Sequence, residues 1–256
     1  MLSNDEINVD INHTTCSCVV NQSINMHPFT FVHPSNILLT GPSGSGKTHF
    51  LVQALKNNLF HPTPTRIVWV YGETQPAHRE LERAAPHLPK VEYLRNETDY
   101  EDLMESFEPS ETNLLVLDDQ MNEGKAKANA FGNLFTKGSH HRNITIVYMM
   151  QNVFEKGGSN RTINLNSHYL IMFKNPRDGR QSQVLGSQMY PKSPRFLSEA
   201  FEDATATRAH SYLALDFRQE TSKYLRVLTD LIVPTSGNGG GGGVTVYVPR
   251  ELADTI

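Results

Sequence analysis

The chain has 256 residues, with 27 acidic and 23 basic side chains and a formal net charge of −4. That balance excludes a protein that coats nucleic acid with its whole surface and leaves room only for contacts by local basic loops. Charged residues at 20% and aromatic residues at 9% suit an ordinary globular chain with one sizeable α/β core, and no apolar run reaches the roughly 18 residues that span a membrane.

The polar, acidic opening "MLSNDEINVD" does not read as a secretory signal. The two cysteines, Cys16 and Cys18, lie too close together to staple a fold. A reducing setting is therefore expected: intracellular (nucleus or cytoplasm) or virion-associated, not secreted. His13, Cys16 and Cys18 are metal-ligating residue types, but no fourth ligand is evident. Residues 1–34 are polar and weakly periodic, and are expected to form a loosely ordered N-terminal extension.

The first core element is "NILLT", Asn36–Thr40, an apolar run that reads as a buried strand. Gly41-Pro42-Ser43-Gly44-Ser45-Gly46-Lys47-Thr48 follows and satisfies the phosphate-loop pattern G-x-x-x-x-G-K-[ST] at each fixed position. Glycines let successive N–H groups turn inward around an anion. The helix predicted over Thr48–Phe60 aims the positive end of its dipole at the same anion. The Lys47 ammonium suits β- and γ-phosphates, and the Thr48 hydroxyl suits Mg2+. Strand, loop and helix in this order predict a nucleoside triphosphate site.

Further strands are predicted over Arg66–Tyr71, Val91–Leu94, Leu114–Asp118, Ile144–Met150 and His168–Phe173. Helices are predicted over Gln75–Ala85, Asp99–Phe107, Ala126–Thr136 and Asp178–Met189. Continuous apolar runs suit parallel strands covered on both faces. Arg195–Ala206 reads as one more helix, and "SYLALDF" with "KYLRVLTDLIV" as a closing hairpin. The run "GNGGGGG", Gly237–Gly243, is a linker by composition, and "VTVYVPRELADTI" reads as a tail in preference to a tethered peptide. The expected organisation is an extension over 1–34, a P-loop domain over 35–234, and a linker with tail over 235–256.

Two strand ends carry chemistry. "NLLVLDDQM" ends in Asp118 and Asp119: beside a phosphate loop, the first suits the Mg2+ shell and the second suits orienting or deprotonating an attacking water. "ITIVYMMQN" ends in Gln151, whose amide can donate to a phosphate oxygen and accept from water. In the additional-strand class of P-loop proteins this strand inserts between the phosphate-loop strand and the acidic strand, which puts Gln151 beside the γ-phosphate. The predicted fold class is thus α/β, a P-loop NTPase of the additional-strand, RecA-like kind. Its sheet is expected to be doubly wound and mostly parallel, with strand order 5-1-4-3-2.

The succession "GPSGSGKT … LLVLDD … GSHHRNITIVYMMQNVF … NRTINLNSHYLIMFKNPRD" resembles viral DNA-packaging ATPases of the FtsK/HerA superfamily. It looks most like those of Polinton (Maverick) elements, adintoviruses and their poxvirus-type relatives, over about Asn36 to Tyr190. The resemblance implies a homo-oligomeric ring that hydrolyses ATP with Mg2+ to push double-stranded DNA into a capsid. It implies Gln151 as the sensor and admits a capsid protein as partner, while the lack of a spanning apolar run leaves no membrane partner expected. The family's second acid is often Glu where this chain has Asp119, so Glu123 stands as an alternative base. Arg161, then Arg142, are the candidates for an arginine acting across a subunit interface, and Arg177 suits a phosphate contact in cis. Lys125 and Lys127 in "NEGKAKAN" and Lys156 in "FEKGGSNR" are candidate DNA contacts, salt-dependent and blind to sequence. Two alternatives stay open. A kinase-like transferase would need an arginine-rich lid that the chain does not offer. A non-catalytic NTP-binding module would not need Lys47, Thr48 and Asp118 together.

Overall fold

A computed structural model of the protein describes residues 10–12, 19–24, 29–72, 81, 83, 87–95, 99–118, 132–138, 142–154, 160–206, 208–232 and 243–253. The chain divides into two compact units, one over Thr30–Phe173 and the other over Met1–Phe29 with Lys174–Ile256. Strands β1 (Asp10–Asn12) and β2 (Val19–Ile24) come first in the chain and belong to the second unit.

The Thr30–Phe173 unit runs β3 (Phe31–Val32), β4 (Asn36–Thr40), α1 (Lys47–Lys56), β5 (Phe60–His61), β6 (Arg66–Tyr71), β7 (Val91–Arg95) and α2 (Tyr100–Glu105). It continues through β8 (Asn113–Asp118), a π-helical turn (Leu134–Gly138), β9 (Ile144–Met150), α3 (Asn160–Leu165) and β10 (Tyr169–Phe173). Six strands hydrogen-bond in the order β10-β4-β9-β8-β6-β7, and every neighbouring pair is parallel. Parallel neighbours require a crossover between them, which is why strands and helices alternate along this stretch. Every residue of β4, β8, β9 and β10 is buried. Both faces of these strands are therefore covered, as their unbroken apolar runs require. The short β3 and β5 pair in a separate parallel ribbon, where Phe31 packs on Phe60 and edge-on against Tyr169.

Polar pins at the N-terminal ends of the strands fix their register. Asn36 is 1% exposed, and its Nδ2 donates to the carbonyls of Phe135 and Asn166 at 3.0 and 2.9 Å. Its main-chain N–H donates to His168 Nδ1 at 2.9 Å. Asn113, at the start of β8, donates from Nδ2 to the Glu108 carbonyl at 2.8 Å. A one-residue slip would strand these buried amides without partners, a cost of about 1–3 kcal/mol each. The same pins leave the opposite rim, at the carboxyl ends of the strands, as the place where open α/β sheets hold ligands.

The second unit carries an antiparallel sheet. Its further elements are α4 (Arg180–Met189), α5 (Phe196–Ala204), β11 (Tyr212–Asp216), β12 (Val227–Thr229), β13 (Val244–Pro249) and α6 (Arg250–Ala253). The strand order is β1-β2-β13-β12-β11, antiparallel at every step. The hairpin expected from "SYLALDF" and "KYLRVLTDLIV" is the β11–β12 pair.

Two sequence expectations differ from this arrangement. The polar N-terminal stretch holds two strands, and the expected tail holds β13, with all six residues buried. The physical reason is shared: β13 pairs with β2 from Val244 opposite Ile24 to Pro249 opposite Val19, so each segment supplies the other's missing hydrogen bonds. Of the helix expected over Ala126–Thr136, only its last residues are described, and Leu134–Gly138 is π-helical. The helix expected over Gln75–Ala85 lies almost wholly outside the described residues. No helix among the described residues is long and apolar enough to cross a membrane.

Candidate functional site

The loop between β4 and α1 is built for close approach of main chain. Gly46 is the residue before α1 and has φ 106°, a conformation that disfavours a side chain. No side chain caps α1, and its first turn holds no acid. The helix thus turns the positive end of its dipole to the loop with neither a capping side chain nor an acid to offset it. Gly41 leaves β4 against β10: a Cβ there would lie 2.8 Å from both Phe173 Cβ and Ser45 Oγ. Because Phe173 Cβ is fixed to a strand and cannot yield, Gly41→Val is expected to lower stability by about 1–3 kcal/mol. A thermal melt of the variant checks this, and an unchanged Tm would contradict the packing described.

Sheet register brings three segments to one rim. Thr40 is opposite Met150 and Leu39 is opposite Met149 across β4·β9, while Asp118 is opposite Met149 across β8·β9. Leu39, Met149 and Asp118 therefore form one row, Thr40 and Met150 the next, and Gly41 and Gln151 both lie one residue beyond that second row. The Gly41 N–H donates to the Met150 carbonyl at 3.1 Å, which ties the first residue of the loop to the residue preceding Gln151. With strands spaced about 4.8 Å apart, the loop strand and the acidic strand are separated by about 10 Å.

Lys47 Nζ donates to the carbonyls of Gly41 and Pro42 at 2.7 and 3.1 Å. The ammonium is thereby held over the loop that its own backbone forms. The Thr48 hydroxyl lies 3.8 Å from Met149 Sδ, so Thr48 and the buried Asp118 border the same methionine from two directions. A hydroxyl and a carboxylate are hard oxygen donors of the kind Mg2+ takes. The residues present therefore fit a magnesium-bound triphosphate. Met149 and the Met150 carbonyl escaped sequence reading: the first looks like any apolar strand residue, and the second is main chain and leaves no sequence signal.

The remaining candidates are placed unevenly. Gln151 is exposed just past β9, and the next residue, Asn152, accepts from the Phe154 N–H at 2.7 Å through Oδ1. Arg161 is exposed in the first turn of α3, a helix linked to the segment after Gln151 because Asn164 Nδ2 donates to the Val153 carbonyl. Arg142 precedes β9 at the other rim, where its carbonyl accepts from Asn113 Nδ2 at 3.4 Å. Arg177 belongs to the second unit and is exposed. Asp119, Glu123, Lys125, Lys127 and Lys156 lie outside the described residues, as do His13, Cys16 and Cys18. Among the described residues no cluster of three His, Cys, Asp or Glu suits a metal ion.

No family model and no curated protein matches the chain. Among solved structures, the genome packaging NTPase B204 from Sulfolobus turreted icosahedral virus 2, in complex with ATP-gammaS, is similar at 16% identity and TM-score 0.41. That match covers 77% of this chain and 96% of B204. EssC (ATPases 2 and 3) from Geobacillus thermodenitrificans is similar at 13% identity and TM-score 0.49, over 81% of this chain and 41% of that one. A KaiC-like protein from the hyperthermophilic archaeon Pyrococcus horikoshii OT3 is similar at 14% identity and TM-score 0.43, over 84% of this chain and 90% of that one. Likeness at these values carries nothing about activity.

Proposed function

We propose that the chain is a Mg-dependent ATPase that drives double-stranded DNA, packaging a viral or Polinton-type genome into a capsid as a homo-oligomeric ring. The observation that supports this reading is the shared rim: phosphate loop, Asp118 and Gln151 on neighbouring parallel strands, joined by the Gly41–Met150 hydrogen bond. In this reading Lys47 and the loop N–H groups bind the β- and γ-phosphates, and Thr48 and Asp118 hold Mg2+, which supplies charge neutralisation at the phosphates. Asp119, with Glu123 as the alternative, orients the attacking water, and Gln151 senses the γ-phosphate. Arg161 is first choice and Arg142 second for a charge supplied to a neighbouring subunit. Lys125, Lys127 and Lys156 contact DNA phosphates, and a capsid protein is the docking partner.

The test is NTP turnover by the purified protein with and without duplex DNA. The motor reading expects ATP turnover to rise several-fold with duplex, and the rise to shrink as salt is added. Phosphoryl transfer to a small acceptor in place of water would favour a kinase. Tight ATP binding without turnover in either condition would favour a non-catalytic module. Images of the protein with duplex DNA and a slowly hydrolysed ATP analogue are expected to contain closed rings.

A further inference from the structure

The β11–β12 connection of the second unit is organised far more tightly than a plain hairpin loop needs. Asp216, buried at the end of β11, receives Arg218 through Nη2 at 2.7 Å and the Thr221 hydroxyl at 2.9 Å. Arg226 closes the loop from the other side: Nη1 donates to the Asp216 and Arg218 carbonyls at 3.1 and 2.9 Å, and Nη2 donates to the Thr221 carbonyl at 2.8 Å. A guanidinium has five N–H donors, so one on Nε and one on Nη2 are left over. The Asp216 carboxylate at the end of β11 is committed to Arg218, and Glu220 is the carboxylate within the loop itself. Among the described residues no carboxylate pairs with Arg226 or Lys223.

This loop forms one wall of a cavity of about 430 Å³, lined by Met189, Tyr190, Phe217, Lys223, Arg226 and Leu252. Its volume falls within the roughly 300–1,000 Å³ of small-molecule sites. The polar groups are two cations and a phenol, and the rest of the lining is apolar. The Tyr190 ring is held edge-on against Phe196 at 4.8 Å, and its hydroxyl is buried with no hydrogen-bond partner among the described residues. Burial pushes the Tyr190 phenol up to about 12, against a smaller opposing pull from Arg226, so it stays a neutral donor at physiological pH. Lys223 is exposed, and its ammonium lies 4.9 Å from the Tyr224 ring centre.

We infer that this cavity is a second anion site, distinct from the phosphate loop, that takes a nucleoside monophosphate: phosphate on Lys223 and Arg226, ring system on Phe217 and Met189. One cation held by the loop carbonyls, Arg226, with an exposed second one, Lys223, beside it calls for a compact, doubly charged anion. The aromatic and thioether members of the lining, Phe217 and Met189, call for a flat apolar body attached to it. The ligand is either a free nucleotide or the 5′-phosphorylated end of a DNA strand, two sources of one phosphomonoester chemistry.

The test is equilibrium dialysis of labelled AMP against full-length protein carrying Lys47→Ala, so that the phosphate loop contributes little. Saturable binding is expected, weakened at least tenfold by adding Lys223→Glu, a change at an exposed side chain that leaves the Arg226 clamp intact. Tyr190→Phe is expected to weaken binding by a smaller factor. Displacement of AMP by a short 5′-phosphorylated oligonucleotide would assign the site to a DNA strand end, and failure to displace would assign it to free nucleotide. The inference is overturned if no saturable AMP binding occurs at millimolar concentration, if Lys223→Glu binds unchanged, or if inorganic phosphate competes as well as AMP. A Lys47→Ala protein that still binds ATP as tightly as wild type counts against the phosphate-loop reading alone.

Discussion

Lys47→Ala is expected to lower the affinity for Mg-ATP by at least about 10²-fold, with no comparable loss of fold stability. The ammonium bonds to the carbonyls of Gly41 and Pro42, both within the loop. A triphosphate entering the loop is a far stronger acceptor than two carbonyls, and Lys47 would turn to it. Each hydrogen bond to a charged partner contributes about 1.5–3 kcal/mol, so two such bonds set the scale of the loss. Stability should move less than affinity, because Pro42 is half-buried and water can replace the lysine at its carbonyl. Calorimetric titration with a slowly hydrolysed ATP analogue, alongside a melt, separates the two effects. Affinity within threefold of wild type would remove Lys47 from the phosphate site.

Gln151→Ala is expected to leave ATP affinity within about threefold and to cut turnover by about 10²-fold, the scale of losing one pre-aimed donor at developing charge. The split follows from position. Gln151 lies beyond the row that holds Asp118, exposed, one residue from the carbonyl that anchors Gly41. On the proposed reading ground-state binding belongs to the loop N–H groups and Lys47, and neither changes in the variant. What disappears is an amide able to touch a γ-phosphate oxygen and a water at once. Steady-state kinetics with a parallel binding curve read the split directly. Full turnover in Gln151→Ala would end the sensor assignment, and a large fall in affinity with normal turnover would make Gln151 a binding residue instead.

Legibility in the sequence tracked how local the determining physics was. The strands Arg66–Tyr71 and Ile144–Met150 stand out because parallel strands buried on both faces need unbroken apolar runs, a pattern contained within each segment. The phosphate loop is equally self-contained, since its glycines and Lys47 answer to one another over eight residues. Strand β13 was misread for the opposite reason. "VTVYVP" has the β-branched and aromatic character of a strand, but it follows a glycine run, and its partner β2 lies near the other end of the chain. Pattern along a sequence gives no hint of a partner so remote. At the site, the residue types at the strand ends were readable. The hydrogen bond from Gly41 to Met150 was not, because it joins main-chain atoms, and neither was the place of Met149 between Thr48 and Asp118, which depends on register.

The seating of β13 between β2 and β12 has a consequence for how the molecule is assembled during synthesis. The Thr30–Phe173 unit is contiguous and has all its strands once residue 173 has left the ribosome. The antiparallel sheet cannot close on the same schedule: β2 is translated early, and its long pairing partner emerges more than two hundred residues later. In the interval β1 and β2 form only a two-stranded ribbon, which is marginal in water and has an open edge available to neighbouring nascent chains. Polysomes carrying this message therefore bring such edges close together, and the polar composition of the early segment makes unwanted pairing there less favourable.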